Sequence, residues 1–151
     1  MDKMHEENTI QYTDWDDGFS VGSSLIDNQH KEILSFINYV ADYFRKGKDS
    51  EEEFEKIVHM GIQQLENHFC TEEQIMDAAQ FAGFTEHKIA HDGIKKELED
   101  KLQEVNSTNR AEKMIEISDM LSAWIVNHIK NYDLKAAECF TAAEKQGKQG
   151  V

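Results

Sequence analysis

SLIDNQHKEILSFINYVADYFR, residues 24–45, sets Ile26, His30, Ile33, Ile37, Val40 (or Ala41) and Phe44 on one stripe at helical spacing. The stretch reads as an amphipathic helix with a histidine among its core positions. Gly47 and Lys48 close it, and Asp49 or Ser50 ahead of Glu51–Glu53 reads as the cap of the next helix. That second helix runs to about Ala79, with Phe54, Val58, Gly61, Leu65, His68, Glu72 and Ile75 or Met76 inward. Gly83 breaks the chain. A third helix from about Thr85 carries His87, His91, Ile94, Leu98 and Leu102, and a fourth, after Asn106–Asn109, carries Met114, Ile117, Leu121, Trp124 and His128.

Four helices of this length with short connections imply an all-α, up-down-up-down four-helix bundle. Residues 1–22, with Trp15 and Phe19, read as an N-terminal arm packed on the bundle domain of residues 23–138. Residues 139–151, TAAEKQGKQGV beyond Cys139 and Phe140, read as a polar C-terminal tail that frays. The 151 residues contain no proline, which suits helices throughout. With 16 basic and 30 acidic residues the net charge is -14, a surface that repels phosphate, so neither nucleic acid nor an anionic membrane is an expected partner. The same charge discourages self-association, so a monomer is expected. No apolar run is long enough to span a bilayer, and MDKMHEENTI lacks the pattern of a secretory leader. Cys70 and Cys139 lie far apart without CxxC spacing, as expected of a reducing, cytoplasmic setting.

One histidine on an apolar stripe is ordinarily a hydrogen-bonded core residue. Here the pattern recurs on all four helices, at His30, His68, His87, His91 and His128, and an unsatisfied buried polar group costs about 1–3 kcal/mol. A shared ligand satisfies all five together. His68 and Glu72, like His87 and His91, are four apart and share a helical face. His128 and Asp133 are five apart, about 140° around an ideal helix, and are less diagnostic. Seven donors exceed a tetrahedral zinc site, and imidazole with carboxylate suits first-row metals such as iron. If both carboxylates bridge two six-coordinate metals, five nitrogens and four oxygens fill nine of twelve positions. A bridging oxide or hydroxide fills two more and leaves one open for a small molecule.

His59 lies off the inward stripe and His5 in a polar terminus, so both read as solvated. Cys70 projects about 200° from His68 and is a poor ligand. Tyr132 points to the site or to solvent, and sequence does not choose between them.

These motifs resemble the hemerythrin family, in its single-domain bacterial form. The likeness spans about Thr13 to Leu134 and is carried by WDDGFSVG (15–22), IDNQHKEI (26–33), HFCTEE (68–73), HKIAH (87–91) and HIKNYD (128–133). The resemblance implies two iron ions with a bridging oxide or hydroxide. His87, His91 and His128 would hold one iron, His30 and His68 the other, with Glu72 and Asp133 bridging. It further implies that Ile33, Phe69, Trp124 and Ile125 surround a dioxygen pocket, and that the activity is reversible dioxygen binding, for storage, delivery or sensing, rather than catalysis. The alternative is a di-iron enzyme acting on dioxygen, peroxide or nitric oxide. A third reading is a metal-stabilised bundle that docks a partner. Against the enzyme, imidazoles donate less charge than carboxylates, and the chain has no inward Glu-x-x-His pair of the kind that oxidising di-iron bundles use.

Overall fold

The computed structural model describes residues 13–149. The expectations for the leader, for His5 and for the first half of the arm fall on residues 1–12, outside the described residues, as do residues 150 and 151.

Four helices make the bundle: α1 (Ser24–Arg45), α2 (Glu51–Ala78), α3 (Phe84–Gln103) and α4 (Arg110–His128). Among the described residues there is no strand. Each neighbouring pair runs antiparallel. Gln29 meets His68 while Tyr39 meets Glu53 across α1 and α2. Glu73 meets His91 across α2 and α3, and Glu104 meets Lys113 across α3 and α4. Among the described residues, no helix is long and apolar enough to cross a membrane.

Local chemistry sets the ends. Ser23 caps α1 by accepting from the Ile26 N–H, and Ser50 caps α2 by accepting from the Glu53 N–H, with Glu51–Glu53 favourably placed in its first turn. Gly47, at φ 79°, ends α1 in the left-handed conformation that glycine adopts without strain. α2 ends close to the expected Ala79, with Gly83 in the break that follows. Gln80 takes φ 53°; its N–H donates to the Asp77 carbonyl and the Phe81 N–H to the Met76 carbonyl, a Schellman closure built on a non-glycine residue. Gly83 is a close-packing position, since a Cβ there would lie 2.7 Å from the Phe81 ring.

The main core joins all four helices through Ile33, Ile37, Phe44, Leu65, Phe69, Ile94, Leu98, Ile117 and Ile125. The described part of the arm lies on it. Thr13 and Asn38 exchange hydrogen bonds of 3.2 and 3.0 Å, Trp15 meets Phe19 edge to face, and Val21 is buried.

The C-terminal segment departs from the expected fraying tail. Ala137–Gln149 is a fifth helix, α5. Its polar composition is real, but Phe140 is fully buried with Val21, Ile26, Met76 and Ala136 in a second apolar cluster. One aromatic in that cluster supplies the burial that composition averages away. Glu144 also accepts from the backbone N–H of Ser24, at 2.9 Å.

Between α4 and α5 the helix widens. Ile129–Asp133 form a single π turn, in which the Leu134 N–H donates to the Ile129 carbonyl five residues back, at 3.0 Å. An ideal α-helix would carry Asp133 to an edge. The wide turn returns it to the inward face beside His128, and Asp133 is fully buried.

Candidate metal centre

The seven sequence-selected donors converge. Glu72, His87, His91, His128 and Asp133 form one group whose ligand atoms lie within 4.8 Å of one another, and His30, His68, Glu72 and Asp133 form a second. Both carboxylates belong to both groups. Glu72 turns Oε2 to His30 and His68, at 3.3 and 3.0 Å, and Oε1 to His87 and His91, at 3.3 and 3.1 Å. Asp133 divides itself likewise, with Oδ2 3.1 Å from His30 and Oδ1 2.9 and 3.3 Å from His87 and His128. All seven side chains are 3% exposed or less.

This packing fits a metal better than it fits hydrogen bonds. Glu72 Oε1, both Asp133 oxygens and His68 Nε2 are buried without a well-aligned hydrogen-bond partner among the described residues, which is costly unless something else satisfies them. The Nε2 atoms of His91 and His87 lie 3.1 and 3.0 Å from that of His128. Two ligands at right angles around a metal, each at the usual imidazole distance of about 2.1 Å, are about 3.0 Å apart.

Aromatic rings hold the imidazoles. Phe69 stacks on His91 at 4.0 Å and also lies 5.9 Å from His68, so it borders both groups. Trp124 and Tyr132, one turn before and one beyond, each stack on His128, at 4.4 and 4.9 Å. Tyr132, left open by sequence, thus belongs to the site; its spacing from Trp124 and His128 was the available signal. Ile33 and Ile125 are buried. Ile33 also lines an apolar cavity of about 50 Å³ with Ile37, Leu65, Leu98, Ile117 and Leu121, whose polar lining is Gln64 and Ser118.

Two residues that sequence did not select complete the surroundings. His68 Nδ1 donates to Gln29 Oε1 at 2.7 Å, and His91 Nδ1 donates to Glu73 Oε2 at 2.8 Å. His59 is exposed, as expected. Cys70 is exposed and Cys139 half-buried, both free thiols outside the two donor groups.

Electrostatics make the metal-free site a proton trap. Burial disfavours charged imidazole at His30 and His87, but Asp133 and Glu72 outweigh it and push both up to about 9. At His128 burial prevails over Asp133 and the pKa is lowered. Burial raises the two carboxylates, and in Asp133 the Glu72 charge adds to it. The histidines nevertheless hold both below the usual range, His68 and His30 foremost for Glu72, and His128, His30 and His87 for Asp133.

The raised histidines stabilise the metal-free fold fully below their ordinary value of 6.5 and lose that contribution as pH climbs to about 9. The carboxylate contribution is present above about pH 4 and is lost in acid. A metal takes neutral imidazole only, so protons compete with it at His30 and His87. Metal uptake is therefore expected to release protons and to tighten between pH 6.5 and 9, as read by chelator competition. A flat profile across that window contradicts this electrostatic picture.

A bundle that gathers imidazoles from every helix around two shared carboxylates is a non-haem metal-binding protein by its geometry. The profile of the Hemerythrin HHE cation binding domain matches residues 21–138, and the chain belongs to the hemerythrin family. It is 31% identical to the bacteriohemerythrin of Pseudomonas aeruginosa over 121 residues, covering 79% of this chain and 75% of the relative. It is 30% identical to hemerythrin subunit 1 of Golfingia vulgaris, covering 80% and 87%. A crystal structure of wild-type hemerythrin superposes with a TM-score of 0.71 at 25% identity, covering 87% of this chain and 99% of that one.

Proposed function

We propose that this chain binds dioxygen reversibly at a di-iron centre, in an oxygen storage, delivery or sensing role rather than as an enzyme. His30 and His68 would hold one iron, His87, His91 and His128 the other, and Glu72 and Asp133 would be shared between them, with an oxide or hydroxide as the further bridge. The observation that carries the reading is the division of each carboxylate, one oxygen to each histidine group. Membership of the hemerythrin family supports iron as the metal and dioxygen as the ligand.

When bound, two ferrous ions supply the electron pair that dioxygen takes up on binding and returns on release. The chain's own residues decide that the exchange is reversible. Phe69 lies against His91 and His68, and with Ile33, Trp124 and Ile125 it would line the dioxygen pocket with apolar surface, excluding the water and protons that would carry reduced oxygen away. Phe69, Trp124 and Tyr132 fix the planes of His91 and His128, so the ligands need not rearrange as charge changes.

Metal analysis with optical spectra, anaerobic and in air, tests the function. The expected result is two irons per chain and a coloured aerobic form that loses its gas under vacuum. Irreversible conversion to ferric protein with release of peroxide would favour the di-iron enzyme instead. A ferrous protein inert to air would leave only a structural metal.

Ile125→Val removes one methylene at a cost of about 0.5–1.5 kcal/mol. It is expected to keep both irons and to shorten the lifetime of the aerobic form before autoxidation, with Ile125→Ala shortening it further. An unchanged autoxidation rate in both variants would show that Ile125 does not bar water.

A further inference from the structure

The five imidazoles are not held alike. His68 Nδ1 donates to the neutral side-chain amide of Gln29, and His91 Nδ1 donates to the carboxylate of Glu73. Among the described residues, no group accepts from Nδ1 of His30, His87 or His128. Each histidine group therefore contains one imidazole with a protein-fixed proton, and the two fixing groups differ by one charge. Both reach across a helix boundary, Gln29 from α1 to α2 and Glu73 from α2 to α3. Glu73 is 19% exposed and has Lys88 at 3.9 Å.

We infer that Glu73 and Gln29 are positioning residues that make the two halves of the centre electronically unequal. The inference rests on the ligand sets proposed above. A group accepting from Nδ1 leaves the Nε2 lone pair for the metal and makes it the better donor. A charged acceptor does this roughly twice as strongly as a neutral one. His91 is thereby the stronger donor, on the iron with three histidines, and favours the ferric state there. His68, on the two-histidine side, has the weaker, amide-backed push. Two irons held there would sit in unequal donor fields, the three-histidine position favouring the ferric state more than the two-histidine one.

Glu73→Gln keeps an acceptor oxygen and removes the charge; Gln29→Glu adds a charge to the other side. Iron content is measured first, and wild-type protein without two irons would sink the ligand sets rather than this bias. Given two irons, the midpoint potential for reducing the diferric protein is expected to rise in Glu73→Gln, chiefly in the second electron, and to fall in Gln29→Glu, chiefly in the first. Each shift should be on the order of tenfold in the one-electron equilibrium, about 59 mV. Glu73→Ala should lose iron about 10–100-fold more readily, with Glu73→Gln restoring most of the retention. Unchanged potentials, or shifts of the same sign in both variants, would overturn the inference. If Glu73→Gln does not hold iron, Gln29→Glu alone decides it. Loss of metal from both variants would overturn the bias and leave these residues as anchors only.

Discussion

His87→Ala is expected to empty most of the metal from the protein. The His87 Nε2 atom lies 2.9 Å from Asp133, 3.0 Å from His128 and 3.3 Å from Glu72, at the junction of both carboxylates with the three-histidine group. Residues that merely orient a ligand are worth about 10–100-fold in affinity, so loss of a ligand itself should exceed that range. Iron per chain should fall well below two, and the aerobic colour should go with it. A bound metal stabilises the fold by mass action, about 2.7 kcal/mol at a hundredfold excess over Kd, so the thermal midpoint of the variant should stop responding to added iron. His59→Ala, an exposed change on α2, serves as the control and should retain wild-type iron. Two irons and a normal spectrum in His87→Ala would refute the ligand set.

Phe140→Ala should cost about 3–5 kcal/mol in the metal-free protein, the range for emptying a buried aromatic site. Phe140 is fully buried and packs with Val21 of the arm, Ile26 of α1, Met76 of α2 and Ala136 before α5. Against a typical total of about 5–15 kcal/mol, that is a large fraction of the fold. The cluster adjoins the centre, because Met76 lies one turn beyond Glu72 on α2. Iron retention should therefore weaken along with the denaturation midpoint. A loss below about 0.5 kcal/mol, the ordinary size of a surface change, would return α5 to the fraying tail its composition suggests.

The four helices of the bundle were legible because their apolar stripes are periodic and their caps are local. Ser24–Arg45 begins and ends where the pattern does. The convergence of the seven side chains was legible because five histidines at core positions have no other economical explanation. Three features were not. The relation of His128 to Asp133 depends on a π turn, and i, i+5 spacing alone places the pair apart on an α-helix. α5 depends on Phe140 finding a cavity built by three distant segments, which no window of the sequence contains. Gln29 and Glu73 act across helix boundaries on histidines 39 and 18 positions away, and each looks locally like an ordinary surface residue.

The wide turn at Ile129–Asp133 links two matters that otherwise seem separate. Rewinding these five residues to ordinary α pitch, with none removed, would rotate everything downstream by about 100° relative to α4. The carboxylate of Asp133 and the ring of Phe140 would leave their seats in the same motion. Ion capture and the docking of the chain's last helix thus share a single phase adjustment, and straightening this turn at constant length would forfeit both at once.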